Sequence, residues 1–148
     1  MGQSLLFDTS VLIPLINTGL HERLFRRALR SGRALICSVV LQELYAGTAD
    51  PGSKRALDAM NRAFLRAGAV VTPLHEDWCQ AGVILARYAR LHGQVDPRDH
   101  LADLLITLCA ARAKAILVTE NVHDMERWAA FAARPPRRVP VKRPDEIA

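Results

Sequence analysis

Short apolar runs alternate along this chain with longer segments in which apolar residues recur every three or four positions. The runs predict buried strands at 4–7, 34–37, 69–72 and 115–118. The segments between them predict helices at 11–18, 20–31, 38–46, 51–67, 75–92, 99–113 and 122–133. A further short strand is expected at 138–141, at an edge of the sheet because Pro140 disfavours a central position.

This alternation predicts the fold class. Continuously apolar strands separated by helices are typical of a parallel sheet covered on both faces. We therefore predict an α/β protein, a three-layer α/β/α sandwich with a mostly parallel central sheet of four to five strands. The length of 148 residues predicts one domain. Residues 1–133 would form its body, and the basic, Pro-rich segment 134–148 would belong to the same domain.

Composition narrows the class of protein. Hydrophobic residues make up 50% of the chain and charged residues 24%, which excludes a disordered chain and a disulfide scaffold. No apolar stretch approaches the ~18 residues of a membrane-spanning helix. Since Met1–Ser4 lacks the basic start of a signal peptide, we expect a cytoplasmic protein with no membrane partner. The isolated cysteines are expected to be reduced core residues: Cys37, Cys79 and Cys109.

The formal net charge of +5 is unevenly placed. The tail from 134 combines Arg134, Arg137, Arg138, Lys142 and Arg143 with only two acidic residues, Asp145 and Glu146. The predicted helix 20–31 adds an arginine stripe at i, i+3, i+4 and i+7, made of Arg23, Arg26, Arg27 and Arg30. Its apolar face would be Leu20, Leu24, Ala28 and Leu29. The stripe and the tail are either a surface for a polyanion or a plain solvated surface.

Acidic residues lie close to the strands along the chain. Asp8 directly follows the first strand, Glu43 lies in the helix after the second, and Asp103 lies early in the helix before the fourth. Polar residues then follow the fourth strand, namely Thr119, Asn121 and Asp124. Ligands of parallel sheets bind outside the carboxyl ends of the strands, so we expect these side chains to converge there.

Converging carboxylates raise one another's pKa unless a cation is present. Oxygen ligands favour Mg²⁺, with Mn²⁺ as an alternative, whereas Zn²⁺ would favour His or Cys. Simpler interpretations remain open, with Asp8 as a helix cap and Glu43 on a solvated helix face. Asp103 lies in the apolar run Leu101–Ile106, where an unpaired carboxylate would be costly to bury.

Four segments together resemble the signature of PIN-domain ribonucleases. They are Leu5–Ile13 (LLFDTSVLI), Ser38–Gly47 (SVVLQELYAG), Asp103–Ile106 (DLLI) and Leu117–Met125 (LVTENVHDM). The resemblance spans roughly residues 4–132. In its size the chain looks most like the VapC toxins of bacterial toxin–antitoxin pairs.

The resemblance implies a magnesium- or manganese-dependent endoribonuclease that hydrolyses RNA phosphodiester bonds and arrests growth. Asp8, Glu43 and Asp103 would be the acidic metal-binding residues. Asn121 stands where many members carry Asp, so either Asn121 binds the metal or Asp124 takes the role of the fourth carboxylate. Met125 replaces a frequent Phe. Ser10 and Thr119 would be supporting or water-binding hydroxyls.

The resemblance also implies partners. The family commonly forms homodimers and is silenced by a cognate antitoxin whose C-terminal segment occupies the active-site groove. With the antitoxin the assembly would be a heterotetramer or larger. The arginine stripe would then bind RNA or the antitoxin. Two rival functions remain. A phosphoaspartate phosphatase of the haloacid dehalogenase type also places Asp after the first strand, but it wants a second Asp where this chain has Ser10. A catalytically silent RNA-binding or adaptor module could use the same fold.

Overall fold

The computed structural model describes residues 2–132 and 138–147. Within them lies one parallel sheet of five strands in the order β3-β2-β1-β4-β5. The strands are β1 (Leu5–Phe7), β2 (Ala34–Cys37), β3 (Val70–Val71), β4 (Ile116–Val118) and β5 (Val141–Lys142). Helices flank the sheet, so the predicted α/β/α fold class is confirmed.

The helices fall where the periodicity of apolar residues predicts them. They are α1 (Thr9–Thr18), α2 (Glu22–Arg30), α3 (Ser38–Ala46), α4 (Pro51–Arg66), α5 (His75–His92), α6 (Leu101–Ala113) and α7 (Val122–Ala132). Short 3₁₀ turns occur at Pro97–Asp99 and Pro144–Glu146. Helix α1 begins two residues earlier than predicted, with Asp8 at its N-cap position, yet the Asp8 side chain makes no capping hydrogen bond. That carboxylate is therefore available for another role.

The centre of the sheet is fully buried. Strands β1 and β4 pair directly, with Leu5 opposite Ile116 and Phe7 opposite Val118, and every residue of both strands is buried. A second apolar cluster packs α5, α6 and α7 around the indole of Trp128. Because β2 lies on one side of β1 and β4 on the other, the carboxyl ends of β1 and β4 flank the crevice where such folds bind ligands.

The predicted apolar face of α2 is partly wrong. Phe25 packs against the core, with its ring centroid 5.2 Å from that of Phe7. Leu29 is 45% exposed and Leu20 is 49% exposed. Leu24 packs against the core and Ala28 is buried, as predicted, whereas Leu20 and Leu29 lie at the two edges of the predicted apolar face. The aromatic ring contributes the larger buried area and is the one that packs inward.

The cysteine prediction holds for two of the three residues. Cys37 and Cys109 are buried free thiols with their Sγ atoms 3.3 Å apart. Cys79 is exposed, so its prediction as a core residue is wrong. It lies on α5, one residue from the half-exposed indole of Trp78.

The last strand is shorter than predicted but lies at the edge of the sheet as expected. It begins after Pro140, whose carbonyl still accepts a hydrogen bond from the backbone N–H of Leu117. The proposed boundary between 133 and 134, together with Arg134 and Arg137, lies outside the described residues. None of the helices within the described ranges is long and apolar enough to cross a membrane.

Candidate functional site

Asp8 is a buried carboxylate at the carboxyl end of β1. Its backbone N–H donates to the carbonyl of Val118, which continues the pairing with β4. Its side chain is only 3% exposed. Two hydroxyls donate to its Oδ2 atom, Ser10 Oγ at 2.7 Å and Thr119 Oγ1 at 2.8 Å. These bonds offset the cost of burying the charge. Oδ1 is used by neither hydroxyl.

The two hydroxyls are themselves oriented by backbone groups. The N–H of Glu120 donates to Ser10 Oγ at 3.0 Å, and the N–H of Asn121 donates to Thr119 Oγ1 at 3.0 Å. A hydroxyl has a single proton to donate. The two hydroxyl oxygens are also 3.2 Å apart, and with each proton donated to Asp8 Oδ2 both hydroxyls and that carboxylate oxygen have partners. Ser10 and Thr119 therefore fix the Asp8 carboxylate between the ends of β1 and β4.

Glu43 projects from α3 and is half-buried. Thr9 Oγ1 donates to its Oε1 at 2.8 Å. Burial raises the pKa of Glu43, the hydrogen bond from Thr9 lowers it, and the charge of Asp8 raises it again, with a net upward shift. Thr9 and Asp8, adjacent in sequence, thus link α3 to the end of β1.

Asp103 lies in the first turn of α6. Burial is the main cause that raises its pKa to about 6, and the negative charges of Asp8, Glu43 and Asp124 raise it further. The positive charge of Arg127 acts in the opposite direction. The carboxylates of Asp8, Glu43 and Asp124, from three distant segments, therefore lie near enough to Asp103 for their charges to raise its pKa, and we call this group of four the acidic pocket.

The donor chemistry of this pocket suits a hard divalent cation. Within residues 2–132 and 138–147, no three His, Cys, Asp or Glu side chains stand close enough to form a ready-made metal cage. Mg²⁺ does not need such a cage, since it usually takes one or two carboxylates and keeps several waters. The side chains around the pocket offer oxygen atoms, and a cation among them would relieve the repulsion that Asp103 experiences.

Asn121 and Asp124 play different parts in this geometry. Both are exposed, and the side chain of Asp124 is 53% exposed. The charge of Asp124 reaches Asp103. Asn121 makes backbone contacts: its N–H donates to Thr119 Oγ1, and its carbonyl accepts from the N–H of Met125. Asp124 therefore contributes to the negative charge of the pocket.

The arginine stripe lies on the exposed side of α2. Arg26 is paired with Glu22 of the same helix at 2.7 Å. Among the described residues, the hydrogen bonds and ion pairs of the acidic pocket involve none of the four arginines. The structure does not bring the stripe into the pocket.

Sequence reasoning missed two residues of the pocket. Thr9 is absent from the predicted site residues, although its position directly after Asp8 puts its hydroxyl at the same edge of the sheet. Arg127 follows Asp124 by three positions, which places both on one face of α7. That spacing is the signal that could have identified it.

Comparison with known proteins identifies the family. Residues 5–129 match the model of the PIN domain. The chain belongs to the PIN domain family. The resemblance drawn from the four sequence segments is thereby confirmed, and the matched range contains every acidic residue of the pocket.

Solved structures agree with this PIN domain in fold. FitAB bound to an IR36 DNA fragment contains a chain with a TM-score of 0.64 and 17% identity, and the match covers 97% of each chain. DNA-bound VapBC from Salmonella typhimurium contains a chain with a TM-score of 0.61 and 23% identity, covering 97% of this chain and 99% of that one. None of the curated proteins compared with the chain gave a significant match.

Proposed function

We propose that this PIN domain is a divalent-metal-dependent endoribonuclease that hydrolyses RNA phosphodiester bonds. The observation that carries the proposal is the buried, hydroxyl-held carboxylate of Asp8 with three further carboxylates near it. Burial and then the charges of Asp8, Glu43 and Asp124 raise the pKa of Asp103 to about 6. Such a concentration of negative charge would hinder the binding of an RNA polyanion unless a cation is bound with it. PIN domains are nucleases, which supports the same reaction.

Each polar residue has a separate task in this proposal. Asp8, Glu43 and Asp103 would hold Mg²⁺, or Mn²⁺ in its place, one or two of them directly and the rest through its waters. Asp124 would supply the fourth carboxylate, with Asn121 as the alternative ligand. The bound ion would polarise the phosphate and lower the pKa of a water. Ser10 and Thr119 keep the Asp8 carboxylate in one orientation, and Thr9 does the same for Glu43.

A cleavage assay with a random-sequence RNA tests the reaction. We expect cleavage that requires Mg²⁺ and stops with a chelator, and we expect Asp8→Asn to lower the rate about 100-fold or more. Glu126→Gln is the matched control, because Glu126 is an exposed carboxylate of α7. If Asp8→Asn folds and cleaves like the wild type, the carboxylate pocket is not the active site. If the wild type binds RNA without cleaving it, the adaptor alternative is favoured.

We infer further that the nuclease is the toxin of a toxin–antitoxin pair. Two structures with this fold are the complexes VapBC and FitAB. The chain also exposes apolar side chains on and just after α1, with Ile13 at 45%, Ile16 at 52% and Leu20 at 49%. Neighbouring exposed apolar residues are typical of a protein-binding surface. Expression should arrest growth unless the antitoxin is co-expressed, and Asp8→Asn should not arrest growth.

We propose two alternative partners for the arginine stripe, RNA or the antitoxin, and one triple variant distinguishes them. Arg23, Arg27 and Arg30 are exposed, and reversing their charges to Glu changes no residue of the pocket. If the stripe binds RNA, the variant cleaves more slowly and with a weaker dependence on salt. If it binds an acidic antitoxin segment, cleavage is unchanged and inhibition by the antitoxin weakens. Sedimentation of the purified chain tests the proposed homodimer.

A further inference from the structure

Arg127 stands between the acidic pocket and a group of stacked rings. This aromatic cluster comprises Tyr88 of α5, His100 before α6, and Trp128 and Phe131 of α7. The guanidinium carbon of Arg127 lies 4.8 Å from the centroid of the Trp128 ring and 5.4 Å from that of Tyr88. The cation is thus held against ring faces, an arrangement that fixes it without neutralising its charge.

The hydrogen-bonding capacity of Arg127 is largely unused. Nη1 donates to the phenol oxygen of Tyr88 at 3.3 Å, a weak contact. Nη2 is 3.8 Å from Asp124 Oδ1, beyond hydrogen-bonding distance. Nε is buried and meets no acceptor in the part of the chain that the structure describes. An arginine beside several carboxylates would ordinarily form a two-point pair with one of them, and Arg127 does not.

Arg127 nevertheless lies at the edge of the acidic pocket. Its Nη2 atom is 3.8 Å from Oδ1 of Asp124, and the two residues lie on the same face of α7. The side chain of Arg127 is 34% exposed, so its outer edge can meet a ligand. A guanidinium presents its N–H groups in a planar fork that matches the oxygens of a phosphate.

We propose that Arg127 binds a phosphate of the RNA at the edge of the acidic pocket, with the aromatic cluster as its support. The inference rests on the proposed function, since it assigns a phosphate-binding residue to the same site. The alternative is that Arg127 only stabilises the packing of α5 against α7.

Arg127→Gln and Arg127→Lys test this proposal, with Arg87→Gln as the matched control. Arg87 also stacks on the aromatic cluster, with its guanidinium carbon 5.6 Å from the centroid of Phe131. Among the described residues it forms no ion pair with a carboxylate of the pocket, whereas Arg127 lies beside Asp124. The probe is a fluorescent random-sequence RNA of about 20 nucleotides, bound in Mg²⁺ to proteins that carry Asp8→Asn to prevent cleavage. Affinity is measured by anisotropy over a range of salt concentrations.

Loss of the guanidinium should weaken RNA binding about 10- to 100-fold, the usual effect of one charge-assisted hydrogen bond. The slope of log affinity against log salt should fall by about 0.7, the value for one phosphate contact on a single strand. Arg127→Lys should keep the slope and recover part of the affinity, because it retains the charge without the fork. Arg87→Gln should change neither quantity.

The effect of Mg²⁺ on Tm distinguishes phosphate binding from a purely structural role of Arg127. A cation close to the pocket repels Mg²⁺. In proteins that retain Asp8, Arg127→Gln should therefore keep or increase the rise in Tm produced by Mg²⁺ while its RNA affinity falls. If the Arg127 variants retain the RNA affinity and salt slope of Arg87→Gln, the inference is wrong although the nuclease stands. If the wild type neither binds Mg²⁺ nor cleaves RNA, the proposed function itself fails.

Discussion

Replacing Asp103 by Asn should abolish cleavage and yet make the folded protein more stable. Asn has nearly the shape of Asp and removes only the negative charge. Burial and the neighbouring carboxylates raise the pKa of Asp103 from 3.8 to about 6. Each pKa unit corresponds to about 1.4 kcal/mol, so the ionised group costs up to about 3 kcal/mol. Because the carboxyl is partly exposed, solvent screening reduces our expectation to about 1–2 kcal/mol.

The sign of the pH dependence follows from the same shift. The folded state holds the Asp103 proton more tightly than the unfolded chain does, so stability falls as the pH rises from about 4 to about 6. Above this window the wild type bears the full cost of the charge, and below it the cost vanishes. Asn does not titrate. The advantage of Asp103→Asn should therefore be largest at pH 7–8 and should shrink towards zero near pH 4.

Urea unfolding at several pH values measures this difference, with Glu126→Gln as the control for loss of an exposed acid. Mg²⁺ binds the folded state under the proposed function and should raise the Tm of the wild type by mass action. It should raise the Tm of Asp103→Asn much less. A variant that is less stable than the wild type at pH 7.5, or equally stabilised at every pH, would refute the account of a crowded carboxylate pocket.

Three further changes test other parts of the structure. Asp77→Ala should cost about 3 kcal/mol in urea unfolding at pH 7, because buried Asp77 accepts from Arg112 Nε at 2.9 Å and Nη2 at 3.0 Å. Burial opposes its ionisation, but the bonds from Arg112 and the N–H of Leu74 leave the pKa of Asp77 lowered, so this contribution should fade as the pH drops below about 4. Trp128→Phe should cost about 1 kcal/mol or less, since the indole N–H has no acceptor among the described residues, whereas Trp128→Ala should cost about 3–5 kcal/mol. Thr9→Val should raise the pKa of Glu43 further and shift the pH–rate profile of cleavage upwards, and an unchanged profile would contradict the role of Thr9 in holding Glu43 ionised.

The order of strands and helices could be predicted because the central strands are buried on both faces. Leu5–Phe7 and Ile116–Val118 are apolar without alternation, and this is the pattern that full burial requires. The bounds of the edge strands are harder to predict, because these strands are not buried on both faces. Val70–Val71 has only two residues and is half-buried, so little in its sequence marks where pairing begins or ends.

The positions of the carboxylates could also be anticipated, since parallel topology brings strand ends together whatever lies between them. The contacts within the pocket could not. The bond between Thr9 and Glu43 joins residues 34 positions apart, and no spacing in the chain encodes it. The same holds for α2, where Phe25 and Leu29 are neighbours one turn apart. Only the packing of the helix on the core decides that Phe25 is inside and Leu29 is exposed.

The acidic pocket draws its side chains from four elements that are far apart in the chain: the β1–α1 junction, α3, α6 and α7. An ion held by them would act as a reversible cross-link between these segments, and cross-links that close long loops restrict the unfolded chain most. The affinity for the ion would then depend on how well these elements are packed on the sheet. Substitutions far from the crevice that loosen helix packing should weaken ion binding, and loading with the ion should protect distant helices from proteolysis.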